Sequence, residues 1–103
     1  MASLLEAIKR AERGSVDADL GGGVIKQRVA RPGEGRSGGY RTIIAFRAGD
    51  RAVYVLGFAK NERENITDDE LHVVRRLAAK WLGADAAMLA KAVAEGEIKE
   101  VSR

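Results

Sequence analysis

Lys26 and Arg28 stand two residues apart, Arg41 opens the next apolar stretch, and Lys60 and Arg63 follow the one after that. Cations at i and i+2 of a strand lie on one face, because side chains alternate along an extended backbone. Five such cations could line one surface for a polyanion, and from spacing alone a merely solvated face, with Arg63 paired to Glu62 or Glu64, is as good a reading. The chain offers few other reagents. It has no cysteine, so disulfides, thiolate zinc sites and thiol nucleophiles are excluded. It has one histidine, His72, so a histidine pair within one chain is excluded and a histidine-rich metal site has no ligands. His72 reads as a surface or boundary residue, and no metal or cofactor is expected. Any chemistry falls to Lys, Arg, Tyr, Ser/Thr or carboxylates.

The charge pattern sharpens this. The net charge is only +3, yet residues 24–47 carry Lys26, Arg28, Arg31, Arg36, Arg41 and Arg47 against Glu34 alone. Charges cancel between residues 48 and 83, and the last twenty residues are slightly acidic. A concentrated basic strip on a small domain points to a polyanion, and nucleic acid is the commonest one. A solvated surface that merely repels itself has the same composition, so charge alone leaves both readings open. Aromatics are 5% of the chain, which leaves few platforms for stacking bases.

The elements that must position these residues follow from periodicity. At 103 residues the chain has room for one domain spanning 1–103. Ser3 and Glu6 are spaced as a capping box ahead of an apolar stripe of Leu4, Leu5, Ile8 and Ala11, and Gly14 ends the helix. Asp17 and Asp19 read as turn formers before the Gly21-Gly22-Gly23 break. Residues 24–31 form a strand with Ile25 and Val29 on one face and Lys26, Arg28 and Ala30 on the other. Residues 31–39 read as a glycine-rich loop, 40–47 as a second strand, and 51 or 52 to 59 as a third. Thr67 to Glu70 is a second capping box, opening a helix with Leu71, Val74, Leu77, Ala78 and Trp81 inward and Gly83 at its end. Asp85 caps a third helix to about Glu95, and Ile98 and Val101 allow a short last strand. The expected class is α+β: a small antiparallel sheet, a three-strand meander at its centre, packed by the N-terminal and C-terminal helices.

Two strings fail on context. Gly33-x-Gly35-x-x-Gly38 matches a dinucleotide fingerprint but leads into a strand, so no helix N-terminus waits for a pyrophosphate. Asp17-x-Asp19 resembles the start of a calcium loop, but its twelfth position is Arg28. The longest apolar runs are far below a membrane span, no signal peptide is visible, and a cytoplasmic protein with no membrane contact is expected.

The segment Gly39-Tyr40-Arg41-Thr-Ile-Ile-Ala-Phe46, followed by Val53-Tyr54-Val-Leu-Gly-Phe58-Ala-Lys60-Asn-Glu-Arg63, resembles the RelE/HigB toxins of bacterial type II toxin–antitoxin systems. Residues 20–39 sharpen the likeness to one RelE branch. The resemblance implies a small ribonuclease-like α+β fold and ribosome-dependent cleavage of messenger RNA without metal. The RNA 2′-hydroxyl would attack the adjacent phosphate and leave a 2′,3′-cyclic phosphate. Carried over by position, Lys26 and Arg28 match the cationic strand pair, with Lys26 the candidate base. Arg41 matches a phosphate-clamping arginine, and Lys60 and Arg63 match the basic segment after the last central strand. Arg31, Arg36, Tyr40 and Arg47 would contact RNA. Relatives of this branch begin with an edge strand before the first helix, and this sequence shows none there, so the sheet is expected to lack its first edge strand. The resemblance also implies a partner, a helix-turn-helix antitoxin. A ParE-like toxin that does not cut RNA, or an inactive nucleic-acid- or antitoxin-binding module, would share the fold.

Overall fold

Among the described residues, seven elements form in the order α1 (Ala2–Glu12), β1 (Ala18–Gly21), β2 (Val24–Arg31), β3 (Gly35–Arg47), β4 (Arg51–Ala59), α2 (Asp68–Gly83) and α3 (Ala86–Ala94). The structure is a computed structural model that describes residues 2–31, 35–49, 51–59, 62 and 65–98. The strands make one antiparallel sheet in the order β1-β2-β3-β4. The expected class and the expected meander, now β2-β3-β4, are both present.

The sheet has one strand more than the periodicity indicated. β1 (Ala18–Gly21) lies on the outer edge of β2, so the edge is taken by a strand that follows α1. Its Ala-Asp-Leu-Gly sequence holds a single large apolar side chain, Leu20, too little for a period of two to register. The turn into β2 explains the glycines. Gly22 and Gly23 both have positive φ, 63° and 81°, as a tight two-residue hairpin turn requires. Asp19 does serve as a turn former, its carboxylate accepting the Gly21 N–H at 2.9 Å. β3 also starts earlier than its composition indicates. Arg31 pairs with Gly35, so residues 35–39 are strand and the loop is short.

Both faces of the sheet are covered, each by one helix. Val24, Ile43, Ala45 and Phe58 face Val74 and Ala78 of α2. Ile25 and Ile44, one residue out of phase, face Ala11 of α1 with Leu4 and Ile8 around it. α3 closes one end, where Ala92 and Leu89 pack on Trp81 and Ala84. The α2 capping box forms as expected, with the Glu70 N–H donating to Thr67 Oγ1 and the Thr67 N–H donating to Glu70 Oε1. Asp85 caps α3 through the Met88 N–H. α1, by contrast, already runs at Ala2, which puts Ser3 inside the helix and not at its cap. Leu77 is on the outer flank of α2 and not in its buried stripe. The expected strand around Ile98 and Val101 lies mostly outside the described residues.

Candidate RNA-binding site

β2 and β3 pair with Lys26 opposite Ile43 and Arg28 opposite Arg41, and Arg41 in turn sits opposite Phe58 of β4. Opposed residues share a face, so Lys26, Arg28 and Arg41 all lie on the face that carries Val24, Ile43 and Ala45. Side chains directly opposite are about 5 Å apart at Cβ, and i, i+2 neighbours about 7 Å. The three cations therefore fall within roughly two phosphate spacings of single-stranded RNA, close enough for one active site. α2 packs over the Val24–Ala45 end of this face through Val74 and Ala78. Lys26, Arg28 and Arg41 are each half-buried.

Arg41 carries the clearest mark of a binding site. Its Nη1 is buried and has no hydrogen-bond partner among the described residues. A guanidinium donor shut away from water and left unpaired costs free energy, about 1–3 kcal/mol. An anionic oxygen would remove that penalty with a charge-assisted bond. Arg28 and Arg41 are also like charges directly opposite, an arrangement that destabilises a sheet unless an anion compensates it.

Arg28 already has a partial anion. Its backbone N–H donates to Asp17 Oδ2 at 2.6 Å, and its Nη2 donates to Asp17 Oδ1 at 3.2 Å. Arg10 of α1 lies 3.8 Å from the same carboxylate and donates to the Arg28 carbonyl through Nη2. Burial alone would raise the Asp17 carboxyl, but the Arg28 amide, the Arg28 guanidinium and the Arg10 charge outweigh it and hold the group below its ordinary value. Gln27, fully buried on the opposite face, holds this corner. Its Nε2 donates to Ala7 O at 2.9 Å and Ser15 O at 3.1 Å, and its Oε1 accepts the Asp17 N–H at 2.7 Å. Asp17 is thus more than a turn former. The sequence offers only one hint of its role, an acid isolated just ahead of a cationic run.

The remaining expected residues are dispersed. Tyr40 pairs with Val29 on the opposite face, so it does not share a surface with Arg28 and Arg41. Arg47 is on the same face, but six residues along β3 place it about 20 Å from Arg41. Arg31 and Arg36 belong to the β2–β3 hairpin at the distal end of the strands. β4 ends at Ala59, opposite Tyr40, so the chain leaves the sheet at the rim that holds Arg41. Lys60 and Arg63 themselves lie outside the described residues. His72 is exposed on α2.

The family model for the RelE toxin of the RelE/RelB toxin–antitoxin system matches residues 1–101. The chain belongs to the RelE toxin family. Neither a search of curated proteins nor one of solved structures found a match. Membership makes the chain a toxin of a toxin–antitoxin system, a class whose members are paired with antitoxins. Among the described residues, no helix is long and apolar enough to cross a membrane.

Proposed function

We propose that this RelE-family toxin is a ribosome-dependent endoribonuclease that cuts messenger RNA with Lys26, Arg28 and Arg41. The observation that carries the reading is the cross-strand row of Arg28 and Arg41 beside Lys26, with a buried guanidinium nitrogen on Arg41 that has no partner among the described residues. In this mechanism Lys26 is the base that takes the proton of the RNA 2′-hydroxyl. The resulting oxygen forms a bond to the adjacent phosphorus, and the bond from phosphorus to the 5′ oxygen breaks. Arg28 and Arg41 hold the non-bridging oxygens, whose charge rises in the transition state. The products are a 2′,3′-cyclic phosphate and a 5′ oxygen that takes up a proton at the rim beyond Ala59, where Lys60 and Arg63 follow in sequence.

The partners on this reading are the ribosome, its mRNA and a helix-turn-helix antitoxin that covers the basic face. The protein acts in the cytoplasm, where its substrate is. Inducible expression of wild type and of Arg41→Ala, with mapping of mRNA ends, tests it. Wild type should arrest growth and cut mRNA, and Arg41→Ala should do neither. Equal cutting by both removes Arg41 from the mechanism. DNA damage without mRNA cuts would make the chain a ParE-like toxin, and absence of arrest would make it a binding module.

A further inference from the structure

A carboxylate bonded to Arg28, one of the cations proposed to hold the phosphate, competes with that phosphate, so its presence needs a reason. Asp17 is built into its position. β1 pairs with β2 only from Ala18 onward, opposite Lys26, and the Arg28 N–H on that edge lies beyond its reach. Asp17 Oδ2 takes that N–H at 2.6 Å. Because this bond is to the backbone, the carboxylate is held whatever the Arg28 side chain does. The Asp17 N–H is fixed by Gln27, and Arg10 flanks the carboxylate from α1. The fixed carboxylate then engages one guanidinium nitrogen of Arg28, Nη2, at 3.2 Å. The Asp17 side chain is 19% exposed and that of Arg28 39%, so the carboxylate is the shielded member and the guanidinium the open one. A guanidinium has five N–H donors, so most of its fork stays available to a phosphate.

We propose that Asp17 is a positioning residue: its carboxylate, locked by the Arg28 amide, Gln27 and Arg10, fixes the Arg28 guanidinium in one orientation on the β1 side of β2 and leaves the rest of its fork for the RNA phosphate. The proposal rests on the endoribonuclease reading. It also accounts for two arginines tolerating direct opposition on paired strands, since Asp17 offsets one of the two charges while no RNA is bound.

A double-mutant cycle with Asp17→Asn, Arg28→Ala and the double variant tests it. Asparagine keeps an oxygen to accept the Arg28 amide and removes the charge that orients the guanidinium. Two quantities are measured: the single-turnover cleavage rate on mRNA-programmed ribosomes, and the affinity for ribosomes programmed with mRNA carrying a 2′-deoxy sugar at the cut site. Asp17→Asn should lower the rate about ten-fold or more, the scale of a misplaced catalytic group, with a much smaller change in affinity. In the Arg28→Ala background the same substitution should cost nothing further. Arg10→Met, which leaves Asp17 in place but removes its outer support, should show a smaller loss that also vanishes without Arg28. Thermal unfolding of each variant confirms that the folded protein is being compared. Equal losses in both backgrounds would mean that Asp17 acts without Arg28, and would overturn the proposal. An unchanged or faster rate in Asp17→Asn would make the carboxylate a bystander or a competitor, and would overturn it as well. Wild type that cuts no mRNA refutes the endoribonuclease reading itself, a result distinct from these.

Discussion

Replacing Gln27 by leucine probes the corner that ties the sheet to α1 and to Asp17. Gln27 is fully buried, and of its three hydrogen bonds the one to Ala7 O is buried while those to Ser15 O and the Asp17 N–H are part-buried. Leucine of similar volume leaves the Asp17 N–H without its acceptor, at about 1–3 kcal/mol, and removes a donor from Ala7 O and from Ser15 O, at about 1 kcal/mol each. Burying more apolar surface returns about 1 kcal/mol. The net loss is about 3 kcal/mol, which for a domain of this size lowers Tm by about 10–20 °C. Thermal unfolding followed by circular dichroism measures it. Thr42→Val serves as an internal scale, since it removes only the bond from Thr42 Oγ1 to the Gln27 carbonyl, 2.9 Å long, and should cost about 1 kcal/mol. A Tm for Gln27→Leu within a few degrees of wild type, or above it, would refute the reasoning. It would mean that the buried amide contributes no more than its desolvation costs.

Acid should weaken the fold partly through Asp17. Its carboxyl is held below the ordinary 3.8, so its stabilisation is present above that value and is lost as pH falls through the lower folded-state value. Denaturant titrations at a series of pH values should therefore show a shallower decline below about pH 4 in Asp17→Asn than in wild type. Gly23→Ala should destabilise by about 1–2 kcal/mol for its φ of 81°, and by more than Gly49→Ala, because a Cβ at Gly23 would meet Leu82 Cδ1 at 2.7 Å while one at Gly49 meets nothing. Comparing the two denaturation midpoints checks this. Arg51→Met should cost about 2 kcal/mol and loosen the last turn of α2, since Arg51 Nη1 donates to Trp81 O at 2.8 Å and Ala84 O at 2.6 Å. Amide hydrogen exchange across residues 78–84 reads that loosening directly.

Local chemistry made much of the molecule legible. The Thr67 and Asp85 caps and the strand alternation around Ile25 and Val29 are short-range features, and each appears where its residues indicated. β1 was hidden because an edge strand with one large apolar side chain has no periodic signature, and its pairing is decided by the turn at Gly22-Gly23. Tyr40, expected to contact RNA, lies on the face opposite Arg41, because neighbouring residues on a strand point to opposite faces.

By itself the sequence determined the reagents and their faces. It holds lysines and arginines in place of cysteines or a histidine pair, and the i, i+2 spacing commits Lys26 and Arg28 to one side of β2. Only the tertiary structure decided the register that sets Arg28 against Arg41, the burial of Arg41 Nη1 away from any partner among the described residues, and the reach of Asp17 back to Arg28. These depend on how strands align and on what covers them. A shift of one residue would turn every cation on β2 to the other face, and spacing along a single segment cannot specify that alignment.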